Sequence, residues 1–278
     1  RHAHLPVDLV TDEDLAKGVP DRFKTLYVVG DELLSAAAGP LRAWVEAGGT
    51  LVGIGGGGVL DEYRQPQPTL FALYGLAGRQ PRRAARSLKP AVDLPKAMPL
   101  DTLAFDVAHG GLPLPAYCGL QQLEPAADVP VVGRFGDGRP GATDRRVGQG
   151  RACFIGALPG LAYLQPGIGG RKRGMTLEYP ADVRRLIVEP AESAGVRRHV
   201  TTSDPLVEAT LQEGPRGAVV TLVSFRHPDA GPVTVTLAGL PETKRVTSTR
   251  QGPLTVTPSP AGPQVTLRVD EGDFLVAD

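Results

Sequence analysis

The sequence has 278 residues, 41% of them hydrophobic, and its 30 Lys+Arg balance 30 Asp+Glu to a formal net charge of zero. That length suffices for one large domain or two ordinary ones, and the apolar share is enough to build real cores. Without a basic excess there is little long-range attraction to phosphate backbones or anionic lipid, which argues against nucleic acid and membrane surfaces as partners.

No apolar stretch reaches the roughly 18 residues of a membrane span, and no signal-peptide pattern is visible. The chain begins at Arg1 rather than Met, as expected of a processed protein or of one with a part upstream. Two basic groups stand out, Arg79, Arg82, Arg83 and Arg86, then Arg171, Lys172 and Arg173; both read as solvated loops. Cys118 and Cys153 have neither CxxC nor Cys/His ligand spacing, so a structural zinc site is not expected. They read as two buried free thiols, with one disulfide as the alternative in an oxidising compartment.

In chain order, Pro6–Val10 has strand character, and Thr11 is placed to cap a helical turn with Asp14 three residues on. Phe23–Val29 reads as a buried strand ended by Gly30. Ser35 opens a helix that runs to Ala47, with Leu41, Trp44 and Val45 at helical spacing and Gly48-Gly49 as its stop. Thr50–Ile54 is a second apolar strand, completing a βαβ unit whose crossover is expected to be right-handed. Leu70–Leu76 suggests a short helix. Arg79–Pro115, rich in Pro, Arg and Ala, reads as a long insertion with some irregular strand. Val131–Phe135, Ala142–Arg146 and Arg151–Gly156 form a β-meander with turns at Gly136–Pro140 and Gly148-Gln149-Gly150. Leu158–Leu164 reads as a helical turn, Gly167–Gly174 as a polar linker or surface loop, and Tyr179–Ala194 as a helix with Val183, Leu186 and Ile187 on one face.

After Val196 the pattern changes to short, β-branched runs separated by turn residues: Val200–Thr202, Val207–Leu211, Ala218–Phe225, Val233–Leu237, Arg245–Arg250, Leu254–Thr257, Gln264–Val269 and Phe274–Val276. Their spacing predicts an antiparallel sandwich of about eight strands.

Three segments carry a family resemblance: Pro6–Val10, Phe23–Val29 and Leu41–Val52, above all its part Trp44-Val45-Glu46-Ala47-Gly48-Gly49-Thr50-Leu51-Val52. They resemble the class I glutamine-amidotransferase-like fold in the version appended to bacterial β-galactosidases and related glycoside hydrolases, where it serves trimerisation. Gly148–Ala152 and Gly156–Gly160 resemble segments late in such domains. The stretch from Val200 onward resembles the small β-sandwich that closes many glycoside hydrolases. The resemblance implies an α/β fold, a flavodoxin-like parallel sheet with helices on both faces, plus a C-terminal antiparallel β-sandwich. The implied domains are 1–175, a linker or helix at 176–199, and 200–278. The family's first βα unit is missing ahead of Pro6, and it is expected upstream or replaced by another segment.

Active amidotransferases carry G-x-C-x-G after the strand that corresponds to Thr50–Ile54. Here the positions read Gly53-Ile54-Gly55-Gly56-Gly57, and Gly55 stands where the nucleophile would be. Glycine has no group to attack a carbonyl. Neither a P-loop Lys-Ser/Thr nor a dinucleotide fingerprint accompanies these glycines, so a tight turn is the leading reading and contact with a small ligand or sugar the residual one. Asp61 and Glu62, beside Tyr63, invite comparison with glycosidase acid/base pairs. As neighbours at a helix start they point apart and read as solvated charges.

No catalytic, cofactor-binding or metal-ligating residue is assigned. Gly55, Gly56, Gly57, Gly58, Asp61 and Glu62 remain as a candidate ligand loop. The expected role is a non-catalytic accessory or assembly region of a bacterial carbohydrate-active protein. The alternatives are a glycan hydrolase with its site at the cleft near Gly55–Glu62 and a carbohydrate-binding module. Expected partners are a second copy, an upstream catalytic domain or carbohydrate. Location stays open, with a secreted or periplasmic setting favoured.

Overall fold

The computed structural model describes residues 2–83, 98–168, 179–215, 217–226 and 230–278. Arg86, Ser87, Gly169–Gly174 with Arg171, Lys172 and Arg173, and His227 lie outside these residues. The chain divides into two compact units, Leu9–Gly195 and Arg1–Asp8 with Val196–Asp278.

The larger unit is mixed α/β. In chain order it contains α1 (Asp12–Leu15), β1 (Thr25–Val29), α2 (Ser35–Glu46), β2 (Thr50–Ile54), α3 (Pro68–Tyr74), β3 (Leu76–Arg83), β4 (Asp101–Phe105), β5 (Pro113–Ala116), β6 (Gly119–Pro125), β7 (Val131–Arg134), β8 (Pro140–Val147), β9 (Gly150–Ile155), α4 (Pro159–Ile168) and α5 (Ala181–Ser193). Seven strands form one sheet in the order β1-β2-β9-β8-β7-β4-β5, and β3 pairs with β6 apart from it. The parallel pairing expected from the βαβ pattern holds for β1, β2 and β9, with Thr25 opposite Thr50 and Thr50 opposite Arg151. From β9 to β5 every pairing is antiparallel, so the sheet is mixed.

Side-chain alternation explains the layering. Leu26, Val28, Leu51, Ala152 and Phe154 join one core cluster with Leu41 and Val45 of α2 and Leu70, Leu73 and Tyr74 of α3. Val52, Ile54 and Cys153 point the other way, with Tyr27 packed beside them. Tyr27 donates its hydroxyl to the Ile187 carbonyl of α5 at 2.7 Å. Each fully buried Leu or Val contributes roughly 1.5–3 kcal/mol. Two glycines make this packing possible. A Cβ on Gly49 would stand 2.4 Å from the Trp44 indole, and one on Gly53 would stand 2.8 Å from the Tyr74 ring. Tyr74 can therefore lie on the sheet, edge-on to Phe154 at 5.0 Å between centroids.

Several sequence expectations are corrected. Pro6–Val10 forms no strand. Thr11 does cap α1, accepting from the Asp14 N–H at 3.3 Å, but that helix has only four residues. Arg79–Pro115 contains β-structure at both described ends, in β3 and in β4 with the start of β5. Gly167, read as part of a linker, belongs to α4. Arg79 is no solvated loop residue: it lies on β3, where its side chain is only 8% exposed and ion-paired to Asp31 at 2.7 Å. Both cysteines are free, Cys153 buried and Cys118 only partly so.

The smaller unit holds β10 (Thr201–Thr202), β11 (Val207–Gly214), β12 (Gly217–Ser224), β13 (Val233–Thr236), β14 (Val246–Ser248), β15 (Gly252–Leu254), β16 (Gln264–Leu267) and β17 (Gly272–Ala277). They form antiparallel sheets of order β10-β13-β16 and β11-β12-β17-β14-β15. Val233, Val235, Val265 and Leu267 from the first share one core with Val207, Val220, Leu222, Val246 and Leu275 from the second. The inward-facing Asp273 is satisfied by the hydroxyls of Ser248 at 2.5 Å and Thr249 at 2.9 Å. The N-terminal segment is tied to this unit: Arg198 donates to the Ala3 carbonyl at 2.6 Å, and His4 Nε2 lies 3.0 Å from the Val207 carbonyl.

Candidate functional site

The glycine loop leaves the C-terminal end of β2. Gly55, Gly57 and Gly58 have φ of 65°, 62° and 67°, a left-handed backbone that favours glycine. The loop is buried. Gly55 donates to Ile155 at 2.9 Å, Gly57 to Ile54 at 3.3 Å and Gly58 to Gly30 at 3.0 Å. An anion cradle needs such donors free and aimed at the ligand; these three are committed to the protein's own carbonyls.

The loop also packs too closely for side chains. A Cβ on Gly56 would come within 2.4 Å of the Asp31 Cα and the Gly30 carbonyl oxygen, and one on Gly57 within 2.5 Å of Phe154. Gly55 differs, because its added Cβ would meet only the end of the Leu158 side chain, at 2.9 Å. No helix follows directly: Leu60 bridges Glu32 and Pro66, and α3 begins at Pro68.

Asp61 and Glu62 thus sit in a turn rather than at a helix start, and each carboxylate has a structural task. Asp61 Oδ1 accepts from the N–H groups of Tyr63 at 2.9 Å and Gln65 at 2.7 Å, closing the turn. Glu62 reaches the N-terminus of α2, accepting from the Ser35 N–H and the Ser35 hydroxyl at 2.8 Å each. Those bonds from Ser35 hold its carboxyl below the usual carboxylate range. A carboxylate at this place satisfies a helix donor and complements the helix dipole. The two acids therefore do not converge on a common point.

Beside the loop, Asp31 accepts from Arg79 at 2.7 Å and from Arg83 at 2.5 Å. This cluster closes the same end of the sheet by ion pairing. It escaped sequence reading because β3 was not legible as a strand.

A second concave feature lies over β8 and β9, under α5 and the turn between β4 and β5. It is a pocket of about 270 Å³ with Phe105, Leu112, Val132 and Leu186 among its apolar walls. Its charged floor is Asp144, Arg151 and Glu189. Arg151 Nε donates to both Asp144 oxygens at 3.0 and 3.1 Å, and its Nη2 reaches Asp144 Oδ2 at 2.6 Å. The same guanidinium bonds Glu189 of α5 at 3.1 and 3.2 Å. Cys153 donates its thiol to Asp144 at 3.4 Å. His109 stands at the rim, with Nδ1 2.6 Å from Asp106 and Nε2 3.6 Å from Asp144.

Burial pushes the Asp144 carboxyl upward, but the Arg151 hydrogen bonds and charge outweigh it and leave the group below its ordinary range. Burial, reinforced by Asp144, pushes the Cys153 thiol far up, so it is not a poised thiolate. The network is closed on itself: Asp144 neutralises Arg151, and Arg151 ties α5 to the sheet. In the sequence, a hairpin at Gly148–Gly150 with period-two alternation sets Asp144 near Cys153 and Arg151 on one face; nothing local points to Glu189. Among the described residues no group of three or more His, Cys, Asp or Glu is arranged to hold a metal ion.

No known protein-family model matches this sequence, and no curated protein matches it. Solved structures do share its fold. The chain resembles the catalytic mutant of Gan42B, a GH42 β-galactosidase from G. stearothermophilus, with TM-score 0.66 and 17% identity, over 99% of this chain and 34% of that one. For a β-galactosidase from Bacillus circulans sp. alkalophilus the values are 0.63 and 15%, over 92% and 33%. For α-L-fucosidase isoenzyme 2 from Paenibacillus thiaminolyticus they are 0.57 and 15%, over 92% and 41%. The chain spans about a third of the length of the two β-galactosidases, and its fold is that of a part of such glycoside hydrolases.

Proposed function

We propose that this chain is a non-catalytic accessory region of a bacterial carbohydrate-active protein, serving assembly or substrate presentation. The observation that carries the reading is the commitment of both candidate carboxylates. Glu62 caps α2 and Asp61 closes its own turn, so neither is placed to protonate a leaving group or activate water. The glycine loop supports it, since the N–H groups of Gly55, Gly57 and Gly58 are used internally and Gly55 presents no nucleophile. The fold shared with a third of each β-galactosidase supports it further.

The amidotransferase-like, flavodoxin-like reading of the β1–α2–β2 unit with β9 belongs to the same proposal, as do its partners: a second copy, an upstream catalytic domain, or carbohydrate. The test is an assay of the purified chain against a panel of nitrophenyl glycosides that includes β-galactoside and α-L-fucoside. The proposal expects no turnover on any of them; turnover abolished by Asp61→Asn or Glu62→Gln would replace it with a hydrolase.

A further inference from the structure

In the larger unit, the pocket over β8 and β9 joins apolar walls to converging polar groups, the usual make-up of a small-ligand site. Its volume of about 270 Å³ lies at the small end of such sites, which run from roughly 300 Å³ upward, so its ligand is small. Leu112, Val132, Ile155 and Leu186 give it aliphatic walls. Phe105 and Phe154 also line it, but at 7% and 0% exposure they offer little ring surface for a sugar to lie on. A polyol would set hydroxyls against the aliphatic walls without partners, at a cost.

The polar end has a definite donor and acceptor pattern. The bond from His109 holds the Asp106 carboxyl below its ordinary range. A carboxylate only accepts, so the 2.6 Å contact places the ring proton on Nδ1. The neutral imidazole then turns its Nε2 lone pair toward Asp144 Oδ2, 3.6 Å away. Burial opposes the charge of Asp144, but Arg151 keeps it ionised. Two acceptors thus converge, and a single nitrogen can stand about 2.9 Å from both and donate to each. The charge around them favours a cation. Asp182 and Arg185 answer each other at 2.6 Å. That leaves Asp144 and Glu189, with Asp106 behind His109, against Arg151: three carboxylates to one guanidinium. Arg146, further along β8, is exposed and outside the lining.

We propose that this pocket binds a small primary amine, its ammonium donating to His109 Nε2 and Asp144 and its apolar body lying along Leu112, Val132 and Leu186. An ammonium brings three donors and a positive charge to a place that offers acceptors and surplus negative charge. An alcohol brings one donor and no charge, and a ligand carboxylate would be repelled by Asp144 and Glu189. The inference goes beyond the accessory reading, since turnover of a glycoside would overturn that reading and leave amine binding untouched.

n-Hexylamine and hexanoate share one apolar chain and differ in the sign of the end group. Isothermal titration of each into the full chain at about pH 8, where hexylamine is still an ammonium, tests the proposal, with 1-hexanol and galactose beside them. Saturable one-to-one binding of hexylamine is expected, at least ~10-fold tighter than that of the other three. His109→Leu removes the Nε2 acceptor, and Ala108→Trp fills the mouth from an exposed lining position. Each should weaken hexylamine at least ~10-fold while circular dichroism remains that of the parent. In the parent chain, the His109 ring signals in the NMR spectrum should shift with the same saturation. No saturable binding of hexylamine, binding of hexanoate, 1-hexanol or galactose as tight as that of hexylamine, indifference to either variant, or unmoved His109 ring signals would overturn the proposal.

Discussion

Glu62 accepts two hydrogen bonds from Ser35, one from the backbone N–H and one from the hydroxyl, each 2.8 Å long. A residue that the sequence offers as a candidate acid is thereby the cap of α2. Its carboxyl is held below the ordinary value of 4.5 by those bonds. A depressed carboxyl contributes stability that is complete above the unfolded value and is lost as pH falls through the folded one. Glu62→Gln should therefore lower the melting temperature at neutral pH, and the gap to the parent should close as pH drops below about 4.5. A gap independent of pH would contradict the capping role.

The glycine loop yields a graded prediction. Gly56→Ala forces a methyl into the Asp31 Cα and the Gly30 carbonyl, both backbone atoms, and should cost about 3 kcal/mol or more. Gly55→Ala meets only a flexible leucine end and pays mainly for its left-handed backbone, about 1–2 kcal/mol. Urea unfolding of the two variants should show this order. Equal costs would mean that the loop is not packed against β1 as described.

Arg79 is almost fully covered and holds Asp31 beside that loop. Arg79→Met leaves the Asp31 carboxylate with only the exposed Arg83 as partner. The expected loss is about 3 kcal/mol, read from chemical denaturation. Arg83→Met, on the solvent side of the same acid, should cost less than about 1 kcal/mol.

At the pocket floor, burial and Asp144 keep the Cys153 thiol protonated, and the chain covers it. Iodoacetamide at pH 8 should spare Cys153 in the folded protein and label it once denaturant is added; mass spectrometry of the peptides decides. Arg151→Met leaves the half-buried Asp144 unneutralised and removes the Glu189 tie of α5 to the sheet. After allowance for solvent it should cost about 1–3 kcal/mol.

The elements legible in the sequence are those with strong periodicity and clear stops. The run around Trp44 shows helical spacing and ends in Gly48-Gly49, and α2 and β2 lie where that pattern sets them. Seven of the alternating β-branched runs after Val196 overlap strands of the smaller unit, whereas the run Leu254–Thr257 shares only Leu254 with β15. Strand β3 was not legible, because Leu-Ala-Gly-Arg-Gln-Pro-Arg-Arg lacks β-branched residues and is held by pairing with the distant β6 and by ion pairs to Asp31. Pro6–Val10 looks like a strand by composition alone, yet it makes no ladder. For the site, the glycines after β2 were legible as a tight turn. The tasks of Asp61 and Glu62 were not, because Ser35 lies 27 positions from Glu62 and only the fold brings them together.

The central claim, that this chain presents or assembles rather than hydrolyses, is tested most directly by turnover of o-nitrophenyl-β-galactoside by the purified chain beside its Asp61→Asn/Glu62→Gln double variant. The account predicts that both release nitrophenol at the buffer rate, and that the variant differs from the parent only in melting temperature. Release above the buffer rate by the parent, lost in the double variant, would contradict it.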